Sequence, residues 1–189
     1  MRQCCRFSRN RVVNPRPFAL LALALVCASP LCAQKQHRQP LTEPQVEQIR
    51  EAGIDPDQRI RLYARFVGEH VDAIESLSKR GASSARTQRL DDALQDLTAL
   101  MDELGENLDQ YGGRKADLRK ALKALNEAAP RWMDALRSLP HEAGINLSRK
   151  EALESAHDLT DQAIQLEKDQ TAYFAAHKDE KGQERAEPK

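Results

Sequence analysis

Apolar residues return at three- and four-residue steps through most of this chain, the spacing of helices that bury one face. Punctuation divides the pattern. Thr42 can cap a short helix running to Ala52, with Gly53 as its stop. Asp55-Pro56 then opens a long helix that places Ile60, Tyr63, Val67, Val71, Ile74 and Leu77 on one face and ends at Gly81. From about Ser84, Leu90, Leu94, Leu97, Met101, Leu104, Leu108 and Tyr111 form a second seam, which Gly112-Gly113 breaks. A third carries Leu118, Leu122, Leu125, Ala129, Trp132, Leu136 and Leu139. The period passes through Pro130 unbroken, which predicts one kinked helix rather than two. Ser148-Arg149-Lys150-Glu151 reads as a capping box before a fourth seam of Ala152, Ala156, Leu159, Ala163, Leu166, Tyr173 and Phe174.

No segment alternates as a strand would. The expected fold is all-α: an antiparallel up-down-up-down four-helix bundle, with the Thr42–Ala52 helix lying across one end. Each long helix would have about 25 to 29 residues and span roughly 40 Å. Residues 42–177 form the expected bundle domain, 34–41 a polar lead-in and 178–189 a disordered charged tail.

The stretch before the bundle tells where it works. Arg2, Arg6, Arg9, Arg11 and Arg16, with no acid among them, precede an apolar run from Phe18 to Cys27 and then small residues. That is the order of a secretory signal peptide over residues 1–33, cut after Ala33 or Ala28. The apolar run is about half the ~20 residues a membrane-spanning helix needs. The reading is therefore an exported protein, periplasmic or extracellular, without a permanent membrane anchor.

Removing the leader's five arginines from 29 bases leaves 24 against 29 acids, a net charge of −5. Nucleic acid is not the expected partner of such a chain. All four cysteines (Cys4, Cys5, Cys27 and Cys32) leave with a cut after Ala33, which excludes thiol catalysis and cysteine-ligated metal. A cut after Ala28 would retain Cys32.

Charge also bears on helix pairing. Residues 84–111 carry Asp91, Asp92, Asp96, Asp102, Glu103, Glu106 and Asp109 against Arg86 and Arg89. Residues 114–139 carry Arg114, Lys115, Arg119, Lys120, Lys123, Arg131 and Arg137 against Asp117, Glu127 and Asp134. Either the basic strip grips an anionic partner, or it complements the neighbouring acidic helix across the Gly-Gly hairpin. The second is the preferred expectation, because exposed pairs are common and each is worth only about 0–1 kcal/mol.

Histidines supply the one candidate site. His70 falls between Val67 and Ile74, and Glu154 with His157 makes a Glu-x-x-His step, half of a ferritin-type di-metal pattern. By helical rise, His70 stands roughly 21 Å and His157 roughly 25 Å along an up-down-up-down bundle, with Met133 at a similar level. A His/His or His/Met pair there could hold a metal or haem. The second Glu-x-x-His is missing, so satisfied or exposed histidines and a packing methionine are the expected outcome, with no cofactor. The chain has no Gly-rich phosphate loop, no Gly-x-Ser-x-Gly and no His-Glu-x-x-His, so a catalytic set is not legible.

Leu41-Thr42-Glu43, Ile49-Arg50-Glu51-Ala52 and then Asp55-Pro56-x-x-Arg59-Ile60 resemble the opening of certain uncharacterised exported helical proteins of bacteria, with Gln110-Tyr111-Gly112-Gly113 as a further stretch. The resemblance implies an all-helical exported domain and brings no activity. The expected function is thus a non-catalytic structural or protein-interaction domain, by partner or self-association. A small-ligand, metal or haem carrier is the alternative.

Overall fold

The computed structural model describes residues 39–177, and these are all-helical, with no strand among them. Five helices follow one another: α1 (Glu43–Glu51), α2 (Pro56–Ser78), α3 (Ser84–Gly113), α4 (Arg119–Ser138) and α5 (Asn146–Ala176). The expected leader and charged tail lie outside the described residues. No described helix is long and apolar enough to cross a membrane.

Local signals fix several of the ends. Asp55 caps α2 by accepting from the Gln58 backbone N–H at 3.2 Å, with Pro56 in the first turn. Ser83 accepts from the Arg86 N–H at 3.2 Å and starts α3. At α1, the Gln45 side chain reaches back to the Thr42 N–H at 2.9 Å. Pro130 lies inside α4, which continues through it as one helix.

Most seam positions read from the sequence are in the core, while Leu77, Leu166 and Tyr173 are only partly buried. Ile60, Tyr63, Val67, Val71 and Ile74 of α2 are buried with Leu90, Leu94, Leu97, Met101, Leu104 and Leu108 of α3. Leu122, Leu125, Ala129, Trp132 and Leu136 of α4, with Ala152, Ala156, Leu159 and Ala163 of α5, complete it. The small residues of α5 meet the leucine-rich face of α3 and allow close approach. Gly112 serves the same end: a Cβ there would lie 2.9 Å from Leu166 Cδ1.

The helices pack in a way compatible with a bundle, but not in the expected neighbour order. α2 packs on α3 and α4, and α5 also packs on α3 and α4. Among the described residues no contact joins α3 to α4 or α2 to α5. The two middle helices therefore occupy diagonal positions, and their opposite charges do not meet across the Gly-Gly link. Instead α4 lies between two net-acidic helices, with Arg131 paired to Asp72 of α2 and Asn126 donating to Glu167 of α5. Chain reach explains why the diagonal is open. Five residues, 114–118, can span about 17 Å when extended. With helix axes 8–10 Å apart, the diagonal of a four-helix square is about 11–14 Å.

Three further expectations are corrected. α1 does not lie across one end but folds back along α2, where Gln48 accepts from Arg65 and Gln45 donates to Glu69. Gly112 and Gly113 are the last two residues of α3 rather than residues beyond it, so the helix ends at Gly113. Two residues on, Lys115 takes a left-handed conformation (φ 57°), and the Ala116 N–H returns to the Tyr111 carbonyl. The Ser148 capping box is not formed. α5 begins at Asn146, and buried Ser148 donates to Asp91 of α3 at 2.6 Å.

Candidate functional site

The four candidate ligands are not brought together. His70 is half-buried on α2, while His157 is exposed on α5, the diagonal helix that α2 does not touch. Burial pushes the His70 imidazole below its ordinary value, against the opposing pull of Asp96, Glu69 and a hydrogen bond to the Pro40 backbone. His157 pairs with Asp161 at 3.2 Å, one turn along its own helix. Glu154 is exposed beside Lys150 at 3.4 Å. Met133 is packed against the core, its sulfur 3.9 Å from an Arg137 guanidinium nitrogen. Among the described residues no group of three or more His, Cys, Asp or Glu is placed to hold a metal.

What the fold does bring together is a set of polar ties between helices. On the α2/α3 seam the Tyr63 hydroxyl donates to Glu103 at 2.6 Å. Burial, reinforced by that carboxylate, pushes the phenol up to about 12. On the α3/α5 seam three donors recur every seven residues. Ser148 gives to Asp91, Ser155 to Asp102 at 3.0 Å and Gln162 to Asp109 at 2.7 Å. Partners on this seam advance together along both helices. Those of α2 and α3 run in opposite order, with Tyr63 near Glu103 and Arg86 near Ser78. The heptad of neutral donors lets α5, itself net acidic, lie against the acidic α3 without apposing like charges.

Both ends are tied as well. At one, buried Arg86 donates to the Ser78 carbonyl at 3.1 Å and pairs with Glu142, which joins the α4–α5 loop to the start of α3. The Arg86 guanidinium holds the Glu142 carboxyl below its ordinary value. At the other end, buried Gln170 accepts from the Leu118 N–H at 2.9 Å and donates to the Ala116 carbonyl at 2.7 Å. Asp57 of α2 accepts from the Ala121 N–H at 2.8 Å, so one helix caps the first turn of another. Sequence reasoning missed these ties because their partners are far apart in the chain. The seven-residue spacing of Ser148, Ser155 and Gln162 is the one signal of them that the sequence carries.

The α3–α4 link at this end and the start of α4 make the most basic stretch of the described sequence. Arg114, Lys115, Arg119, Lys120 and Lys123 fall within ten residues, with Asp117 the single acid. Lys115 lies 4.6 Å over the Tyr173 ring and Arg119 4.6 Å over that of Phe174. Asp117 pairs with Arg119 at 2.7 Å, and that guanidinium holds its carboxyl below the ordinary range. α4 has no acid in its first turn, where the helix dipole favours one, and presents Arg119 and Lys120 instead. A shallow cleft of about 440 Å³ on α2, lined by Gln58, Arg61, Leu62 and Arg65, is the other concavity of note. Its arginines are engaged, Arg61 by Asp57 and Arg65 by Gln48. In comparisons with known proteins no family model, no curated protein and no solved structure matches the chain.

Proposed function

We propose that this chain is an exported, non-catalytic helical-bundle module that acts by presenting its surfaces to a protein partner or to further copies of itself. In this reading the first 33 residues are a cleaved signal peptide, and the four long helices run up-down-up-down with α3 and α4 on one diagonal. The observation that carries it is the use made of the interior polar groups. Tyr63, Arg86, Ser148 and Gln170 each tie one helix to another element, and together they hold both ends of the bundle. Such ties make a rigid presenter of surface side chains, and Leu147 and Ile164 on α5 are large apolar residues left exposed on it. The resemblance to exported helical proteins of bacteria accords with this placement.

The test is a native mass spectrum and an absorption scan of protein recovered from the periplasm of an exporting host. The reading expects a chain shortened to a start at Ser29 or Gln34, with a mass free of bound species. An uncut chain retained in the cytoplasm would overturn the exported placement. A reproducible added mass or a Soret band would overturn the non-catalytic module in favour of a carrier.

A further inference from the structure

We propose that residues 40–52 form a strap that lifts off α2 as a unit while the four long helices stay packed, and that a proton taken up by His70 beneath it drives the lifting.

The strap is the thinnest attachment in the fold. α1 packs on α2 and, among the described residues, on no other helix, whereas every long helix packs on two others of its kind. Its buried side chains are Ile49 and, just past its end, Ala52, with Leu41 partly buried ahead of it. Gln45 ties it to Glu69 at 3.1 Å and Gln48 to Arg65 at 2.6 Å. These ties run the strap antiparallel to α2, which sets Ile49 at the level of Arg65-Phe66 and Ala52 near Leu62. By helical period Phe66 lies about 100° from the inward seam of α2, and yet it is 1% exposed. Arg65, which Gln48 holds, sits over its ring at 4.9 Å. Lifting the strap frees Arg65 and bares this flank of α2. At nine residues α1 is shorter than the ~12–15 that an isolated helix needs, so a lifted strap also unwinds.

His70 lies under the entry to the strap, half-buried and hydrogen-bonded to the Pro40 backbone. The charged groups facing it are Asp96 of α3 and Glu69 of α2, the latter shared with Gln45 and with Arg65 at 3.5 Å. The strap itself brings the Pro40 carbonyl. Both carboxylates belong to the long helices and stay beside His70 when the strap lifts, so what leaves is cover. Burial is the larger influence on the imidazole and disfavours its charged form. The closed strap therefore holds the proton more weakly than the open one, and proton uptake favours opening. The strap is closed above pH 6.5, the ordinary value of the imidazole, and lifts as pH falls below it.

The experiment is amide hydrogen exchange of the full chain from about pH 8 to about pH 5, read as protection factors so that the intrinsic pH dependence of exchange is divided out. Parent, His70→Gln and Ile49→Ala proteins are compared. Glutamine keeps a donor for the Pro40 carbonyl and has no proton to take up. The Val46 and Ala52 amides, bonded to the Thr42 and Gln48 carbonyls, report the strap, and those of Leu97 and Leu125 report the core. At neutral pH the strap amides should be protected about a hundredfold less than the core pair. Below pH 6.5 their protection in the parent should fall by up to about tenfold per pH unit, the slope of one proton. In His70→Gln it should not change with pH. Ile49→Ala should lose strap protection at every pH while Leu97 and Leu125 keep theirs. Strap amides as protected as the core pair would overturn the proposal, since the strap would then open only with the whole bundle. An acid response that is absent from the parent, or equal in His70→Gln, would overturn it too.

Discussion

Gln170 is the position where a single substitution most sharply tests how this bundle is closed. Its amide satisfies two backbone groups of the α3–α4 link, the Leu118 N–H and the Ala116 carbonyl, and all three residues are buried. Gln170→Leu keeps the volume and removes both hydrogen bonds. Each buried group left without a partner costs about 1–3 kcal/mol. The added apolar side chain returns about 1–2 kcal/mol of transfer free energy. The net expectation is a loss centred near about 2.5 kcal/mol, or a melting point lower by roughly 5–10 °C at 2–4 °C per kcal/mol. Urea unfolding followed by helicity and by the single, buried tryptophan, Trp132, gives the free energy. Hydrogen exchange gives the location: the Leu118 amide should lose protection well beyond the change in global stability.

Gln170→Glu separates hydrogen bonding from packing. The carboxylate can still accept from Leu118 but faces the Ala116 carbonyl without a proton to donate. Burial raises the folded pKa of such a group above its unfolded value. The folded state then binds more protons, so this variant should gain stability as pH falls towards and below 4.3 and approach the parent there. The reasoning fails if Gln170→Leu is as stable as the parent, or if the Leu118 amide keeps its protection.

Three further outcomes follow from the other ties. Tyr63 should ionise at about 12 by ultraviolet titration, and Tyr63→Phe should remove that step. Its folded value lies above the unfolded one, so its contribution is present below pH 10 and is lost as pH rises through 12. His70 is the opposite case. Its folded value is lowered by burial, so stability declines as pH falls below 6.5, and His70→Gln should flatten that limb of a urea-midpoint profile. Glu142 is held below its ordinary value of 4.5 by Arg86, so it stabilises above pH 4.5 and its contribution is lost as acid protonates it. Glu142→Gln should remove that part of the acid limb, whereas Arg86→Met should destabilise at neutral pH, because the Ser78 carbonyl and Glu142 lose a buried donor.

The seams were legible because burial on one helical face writes a period into the sequence. Leu90 through Leu108 and Ile60 through Ile74 sit in the core where their spacing puts them. Caps at Asp55 and Ser83 were legible for a similar reason, since donor and acceptor are three residues apart. The order of helices round the bundle was not, because period fixes which face is inward but not which neighbour fills it. Gly112 and Gly113 read as a stop, and α3 ends at the second of them, while Gly112 also admits Leu166.

His70 and His157 lie on helices that do not pack together, for the same reason that the expected charge pairing did not form. Height along an axis can be counted from sequence, and His70 and His157 were matched by it, but height says nothing about adjacency. On diagonal helices two side chains at one level face different neighbours, and each histidine found its partners locally: Pro40, Glu69 and Asp96 for His70, Asp161 for His157. The diagonal also changes what the basic segment is for. Next to α3, Lys120 and Lys123 would be half of an intramolecular pairing worth at most about 1 kcal/mol for each bridge. Apart from it, the basic segment finds its counter-charges elsewhere, Arg119 and Lys120 at Asp117 and Arg131 at Asp72.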